Sequence, residues 1–190
     1  MPDVIKTLLE IPGGYRSIHA ARYVGQMDDQ SRRLIEGTRD MTVDELGWQP
    51  APGMNTAGML LAHIAVAETH ITAVGIEGLP TSDVPSVLGI QIEDDGLPLP
   101  ASGHPPAALE GKDIAWFHGL LEKARANTKR VAIDLTDADL GRQIARNRPD
   151  GTPRILSVDW ALYHILEHGA GHHGQILMLR HLCRTSRAGV

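Results

Sequence analysis

The stretch YHILEHGAGHHGQI, residues 163–176, decides the fold because its polar rings repeat with the period of an α-helix. At about 100° per residue, His168 and His172 lie about 40° and 80° around the helix from His164, and Gln175 lies at about 20°. Apolar residues continue the pattern on both sides of this stretch. The sequence therefore predicts one long helix that presents three histidines and a glutamine on a single face.

Two further features of this stretch bear on its packing. His173 falls near 180° on the same helical wheel, which predicts a surface or packing residue pointing away from the other histidines. Gly169, Gly171 and Gly174 each give up about 1 kcal/mol of helix propensity relative to alanine. Close approach of another helix or of a ligand would compensate for that loss. Alternatively the helix ends or kinks here, although ILML at residues 176–179 resumes a helical pattern.

Imidazoles four residues apart on a helix can bind one metal ion. Either His164 with His168 or His168 with His172 has this spacing, so the wheel leaves the pair open. A third ligand must come from another helix, and His63 stands inside the apolar run MLLAHIAV, residues 59–66. A buried histidine bonded to one carbonyl is the ordinary interpretation of such a residue. Facing helices of a bundle build metal sites, however, and this favours His63 as a ligand.

Two zinc-protease patterns fit the sequence poorly. HGAGH, residues 168–172, lacks the glutamate of the H-E-x-x-H motif, which acts as the general base. HILEH, residues 164–168, matches the inverted motif, but no acidic residue follows Glu167 to complete it.

The rest of the chain predicts three more helices and two long connections. Pro and Gly interrupt residues 78–106, where regular structure is not expected, and residues 140–153, where Asp150-Gly151 suggests a short hairpin. The predicted helices are 17–37, a second beginning after Asn55 or Thr56 and ending near Gly75 or Gly78, 107–131, and one capped by Ser157 and running to Cys183. We therefore expect an all-α four-helix bundle with long connections, formed by a single domain of residues 1–190 with its core in 17–182; connections of this length suggest crossover topology rather than a simple up-and-down bundle.

Composition excludes several classes of protein. The 190 residues carry 18 basic and 23 acidic side chains, a net charge of −5, which argues against nucleic-acid binding. The single cysteine excludes an internal disulfide and fits a reducing compartment. No signal peptide is evident, and the longest uncharged stretch, residues 46–67, contains Pro, Asn, Gln and His, unlike a membrane span. The prediction is a soluble, cytoplasmic protein that contacts neither membrane nor nucleic acid.

Four motifs together resemble the DinB-like (DinB/YfiT-like) superfamily of metalloenzymes. They are MTVDEL at 41–46, WQPAPG at 48–53, LLAHI at 60–64 and HGAGHHGQI at 168–176. The resemblance implies a four-helix bundle and a three-histidine metal site formed by His63, His168 and His172, thereby choosing the second histidine pair. It also implies a homodimer and a reaction that depends on a low-molecular-weight thiol.

The functional hypothesis is a metal-dependent transferase or isomerase acting on a small molecule, with zinc or nickel as the metal and a small thiol as co-substrate. A metal-dependent hydrolase and a non-catalytic bundle fastened by metal are the alternatives. Gln175, His164 and His70 are candidates to line the pocket or orient a ligand.

Charged residues near these histidines have two interpretations each. Glu68, about 140° from His63 on the wheel, is expected to face solvent or to support a ligand. The arginines at 142, 146, 148 and 154 form a solvated loop or receive carboxylates of an anionic thiol.

Overall fold

The computed structural model describes residues 7–147 and 150–187. The α-helices are α1 Ile18–Thr38, α2 Val43–Leu46, α3 Ala57–Ile71, α4 Val84–Leu88, α5 Ile114–Ala132, α6 Asp137–Leu140 and α7 Val158–Arg187. A π-helix, Thr72–Glu77, continues α3, and 3-10 turns span Ile92–Asp95 and Ala107–Leu109. Strands β1 Gln143–Asn147 and β2 Pro153–Ser157 pair antiparallel. The all-α four-helix bundle is confirmed, with one small hairpin added to it.

The four long helices form a ring in which α1 and α3 lie on one diagonal and α5 and α7 on the other. Gln30 meets His173 and Gly37 meets Arg180, so α1 and α7 run parallel. Contacts between α3 and α5 follow the same order along both helices, so these two helices are also parallel. Contacts between α3 and α7 follow opposite orders, so these two helices are antiparallel. Parallel neighbours require the chain to return along the full length of the bundle. Residues 78–113 make this return, which explains the long connection.

The crossover connection contains more regular structure than the sequence suggested. Asp83 caps α4 by accepting a hydrogen bond from the amide of Ser86, and the 3-10 turn Ile92–Asp95 follows. Short local caps of this kind need only a few residues, so proline and glycine between them do not prevent helical turns.

The third long helix begins at Ile114, seven residues later than its predicted start at Ala107. Gly111 adopts a positive φ of +68°, and Asp113 then caps α5 through the amide of Trp116. The apolar residues before this turn form a separate 3-10 turn, because the chain reverses before entering the bundle. The other caps are close to prediction, with Ser17 and Thr56 capping α1 and α3.

The predicted hairpin is confirmed. Its register runs from Gln143 opposite Ser157 to Asn147 opposite Pro153, and Gly151 has the positive φ that such a turn requires. Residues 148 and 149 lie outside the described residues.

A buried polar network joins α1, α3 and α5. The Glu68 side chain is only 5% exposed, and its two carboxylate oxygens accept from Nε and Nη2 of Arg125 at 2.7 and 3.0 Å. The Thr128 hydroxyl donates to the same carboxylate at 2.8 Å, and Arg125 also lies 3.4 Å from Asp28. The expectation that Glu68 faces solvent or supports a metal ligand is therefore wrong, because its side of α3 packs against α5.

Segment Ala57–Glu77 is long and apolar enough to cross a membrane by length and composition alone, and 72% of its most apolar window is buried inside the bundle. Core helices of soluble proteins share this composition, so the finding is weak evidence for a span.

Candidate metal centre

Helix α3 is buried on almost every side, and its accessible positions form one stripe. From Ala57 to His70 only His63, Ala67 and His70 are partly exposed, at the i, i+4, i+7 spacing of a single helical face. Burial of the other sides fixes the rotation of the helix about its axis. The apolar run therefore aims His63, whose side chain is 25% exposed, at the one open face.

Helix α7 runs unbroken through its three glycines, which rules out the predicted alternative that it ends or kinks there. His168 and His172 lie one turn apart on the side that faces α3, while His173 points to α1 and contacts Gln30 through Nδ1 at 3.0 Å. The prediction that His173 points away from the cluster is confirmed.

The three histidines converge through the same ring atom. Nε2 of His168 lies 3.2 Å from Nε2 of His63 and 3.1 Å from Nε2 of His172. All three ligand atoms lie within 4.8 Å of one another, so the cluster could hold a metal ion. Ligand nitrogens of a tetrahedral zinc ion are about 3.3 Å apart, given Zn–N bonds of about 2.0–2.1 Å. The two shorter separations fit that geometry.

Hydrogen bonds to the outer ring nitrogens prepare two of these histidines as ligands. Nδ1 of His63 lies 2.8 Å from Oδ2 of Asp95, and Nδ1 of His172 lies 2.7 Å from Oε1 of Gln175. Both oxygens accept hydrogen bonds, so each Nδ1 carries the proton and each Nε2 presents a lone pair. Two lone pairs then face the single Nε2 of His168, and one shared proton can satisfy only one of those contacts. A divalent cation would satisfy all three nitrogens, so the donor set fits a metal.

The surroundings also keep the rings neutral. Burial lowers the pKa of His168 from its ordinary value to about 4, and the nearby rings of His172, His63 and His164 add to this effect. Burial likewise lowers the pKa of His172, partly opposed by its hydrogen bond to Gln175. Both rings are therefore neutral near pH 7, which is the form that binds metal.

The other two predicted histidines are not part of the cluster. His164 stacks on Trp160 with ring centroids 4.4 Å apart, and its Nδ1 lies 2.8 Å from Oε1 of Glu167. His70 lies 2.8 Å from the Ser82 hydroxyl through its Nδ1. Of the two i, i+4 pairs that the sequence left open, the structure brings His168 and His172 together with His63.

Sequence reasoning missed Asp95. This side chain is 4% exposed, and its second oxygen accepts from the amide of Leu97, so the carboxylate is fixed in place against His63. A buried carboxylate that holds a ligating histidine orients the ring and raises its basicity. The run EDD at residues 93–95 contained three acidic candidates, and only the tertiary structure separates the buried one from its neighbours.

Comparison with known proteins agrees with this geometry. The sequence model of the DinB superfamily matches residues 26–176, which include all three clustered histidines. The chain belongs to the DinB superfamily. No curated protein matches its sequence.

The DinB fold is also found in a solved structure. A crystal structure described as the conserved protein of a locus from Enterococcus faecalis aligns with a TM-score of 0.61 and 19% sequence identity. The alignment covers 84% of this DinB chain and 94% of that one. At this identity the likeness supports the fold alone.

The role of Asp95 in this DinB chain gives a test. We expect Asp95→Asn to weaken zinc binding about 10- to 100-fold, because a neutral amide holds His63 less firmly and makes it less basic. Competition with a chromogenic chelator measures the dissociation constant. Glu93→Gln is the matched control, since it removes one exposed carboxylate from the same turn. Equal zinc affinity in the two variants would contradict the role assigned to Asp95.

Proposed function

We propose that this DinB-superfamily chain is a metal-dependent enzyme that uses a low-molecular-weight thiol to transfer a group to, or isomerise, a small molecule. The observation that carries the proposal is the convergence of three imidazole Nε2 atoms on one point at a partly exposed position. Structural zinc sites are closed by four protein ligands, whereas catalytic sites keep a position for substrate. Among the described residues, only these three histidines form such a cluster.

His63, His168 and His172 would hold a divalent cation, with zinc and nickel the preferred candidates for imidazole nitrogen. Such a cation, when bound, lowers the pKa of a thiol or water beside it. The chain's own residues provide alignment: Asp95 fixes the ring of His63 and Gln175 fixes that of His172. Two of the three histidines are thereby held in the tautomer that binds metal before a metal ion or a substrate is present.

The carboxylates near the cluster favour thiol chemistry over hydrolysis. Activation of water benefits from a carboxylate that can accept its proton. Asp95 is occupied by His63 and by the amide of Leu97, and Glu167 contacts His164. A thiolate is already the nucleophile, so its attack on an electrophile needs no separate base.

The test is an activity screen on protein loaded with zinc or nickel. Small thiols are combined with electrophiles and isomerisable acids, and esters are offered without thiol. Turnover that requires both thiol and metal, and that His168→Ala abolishes, supports the proposal. Ester turnover without thiol would favour a hydrolase. No turnover, together with a lowered melting temperature of His168→Ala, would show that the metal only fastens α3 to α7.

We further propose that the protein acts in the cytoplasm and as a homodimer. The outer face of α7 exposes apolar side chains, and an added methyl group at Gly171 or Gly174 would meet no described atom within 4 Å. The close approach expected at these glycines is therefore absent within the described chain, and a second copy packed on α7 would supply it. The exposed apolar residues on this face are Tyr163, Leu177, Met178 and Leu182.

A further inference from the structure

A continuous row of side chains in contact leads from the metal centre to the hairpin. The His164 ring lies 5.7 Å from that of His168, and Trp160 stacks on His164 with an interplanar angle of 23°. On the other side of this row, Cζ of Arg154 lies 4.3 Å from the Trp160 ring centroid. The planar groups of Arg154, Trp160 and His164 thus form one row of contacts that ends beside the histidine cluster.

The hairpin and the start of α7 border an open cleft at the far end of this row. The cleft has a volume of about 360 Å³ and is lined by Gln143, Arg154, Ile155, Leu156, Ser157 and Trp160. Its wall therefore combines an aromatic surface, an arginine and several polar groups, as small-molecule sites do.

The described arginines of the hairpin region have different partners. Arg142 donates to the carbonyl of Ile76, and Arg146 donates to the carbonyls of Val74 and Leu79, so both satisfy backbone groups around the π-helix. Both side chains thus bind backbone carbonyls, while Arg142 is also exposed and Arg146 partly exposed, which agrees with the expectation of a solvated loop. Arg154 instead lies on Trp160, and Arg148 is outside the described residues.

The charge of Arg154 is not neutralised by a neighbouring acid. Among residues 7–147 and 150–187, no carboxylate oxygen lies within 4.0 Å of its guanidinium nitrogens. Stacking occupies the face of a guanidinium, whereas its N–H groups lie in the plane and point outward. These donors match the two oxygens of a carboxylate.

We propose that Arg154, supported by Trp160, binds a carboxylate at the end of a small co-substrate whose sulfur reaches the histidine cluster. The proposal rests on the proposed function for the identity of the sulfur end. Trp160 precedes His168 and His172 by eight and twelve residues, a rise of about 12–18 Å along α7. In a γ-glutamyl tripeptide the glutamyl carboxylate lies at most about 10 Å from the cysteine sulfur. A zinc–sulfur bond of about 2.3 Å and a hydrogen bond of about 2.8 Å to the arginine extend this reach to about 15 Å, which falls within that span. The class of ligand is therefore an extended, peptide-like thiol of about three residues with a terminal carboxylate.

The test separates the carboxylate from the sulfur. S-Methylglutathione, a tripeptide without a free thiol, and its diethyl ester, in which both carboxylates are blocked, are titrated by calorimetry into the zinc-loaded full-length protein. We expect Arg154→Ala to weaken binding of the acid about tenfold, since a hydrogen bond to a charged group is lost. Binding of the ester should stay unchanged, and Arg154→Lys should recover part of the affinity for the acid. Arg39→Ala, at the exposed C-terminal end of α1, is the matched control and should behave as wild type.

Three results would overturn the assignment: no binding of the acid by wild type, equal affinity of wild type and Arg154→Ala for the acid, or an equal loss for acid and ester. A second readout tests the proposed function independently. Cobalt-loaded protein mixed with glutathione should show a sulfur-to-cobalt charge-transfer band. Arg154-dependent binding without this band supports the carboxylate site and contradicts the thiol function. A band without Arg154 dependence supports the thiol function and overturns the carboxylate site.

Discussion

His168→Ala is expected to purify without metal, whereas wild-type protein carries about one divalent ion per chain. His168 is the member whose Nε2 contacts both other rings, so its loss leaves two imidazoles with no third ligand nearby. Elemental analysis of protein purified without an affinity tag measures the metal content per chain directly. His63→Ala should give the same loss, because α3 contributes only this ligand.

His181→Ala is the matched control for this experiment. It removes an exposed imidazole from the same helix, so it should retain the wild-type metal content. Retention of metal by His168→Ala, or failure of wild type to take up zinc or nickel on dialysis, would contradict the assigned centre.

Glu68→Ala is expected to lower the free energy of unfolding by about 3–5 kcal/mol, since it leaves the guanidinium of Arg125 buried without its main partner. The Arg125 side chain is only 12% exposed, and its remaining carboxylate contact, with Asp28, is 3.4 Å long. Chemical denaturation followed by circular dichroism measures the loss. The free energy of unfolding of a whole domain is about 5–15 kcal/mol, so this single change removes much of the stability.

Two comparisons identify the cause of that loss. Asp29→Ala breaks exposed pairs with Arg32 and Arg33 on α1, and such pairs contribute about 0–1 kcal/mol. Combining Glu68→Leu with Arg125→Met removes both buried charges and should recover most of the stability. A loss below about 1 kcal/mol in Glu68→Ala would show that water reaches the buried guanidinium.

The helices and the histidine cluster could be predicted because both depend on local periodicity. The wheel placed His168 and His172 on one face and His173 on another, and the apolar run around His63 fixed which side of α3 faces out. The resemblance to a known family then chose between the two histidine pairs. These features can be predicted from the spacing of residues and from the burial of one helix alone.

Features that depend on distant packing could not be predicted. Asp95 reaches His63 only because the crossover folds back over α3, and nothing in the local sequence distinguishes it from Asp94. Glu68 looked accessible on a wheel that ignores α5, although Arg125 lies across from it. The arginines of the hairpin region likewise looked alike until their individual partners were known.

The order of the helices has a consequence for how the protein matures during synthesis. His63 and His168 are 105 residues apart, and α7 follows every other described helix. The ribosome adds about 5–20 residues per second, and a domain generally folds as a unit. His63 is therefore made several seconds or more before His168 and His172, and the bundle is completed only when α7 packs on α1 and α3. Metal capture by all three histidines must therefore wait until α7 has left the ribosome, so metal loading cannot precede the synthesis of α7.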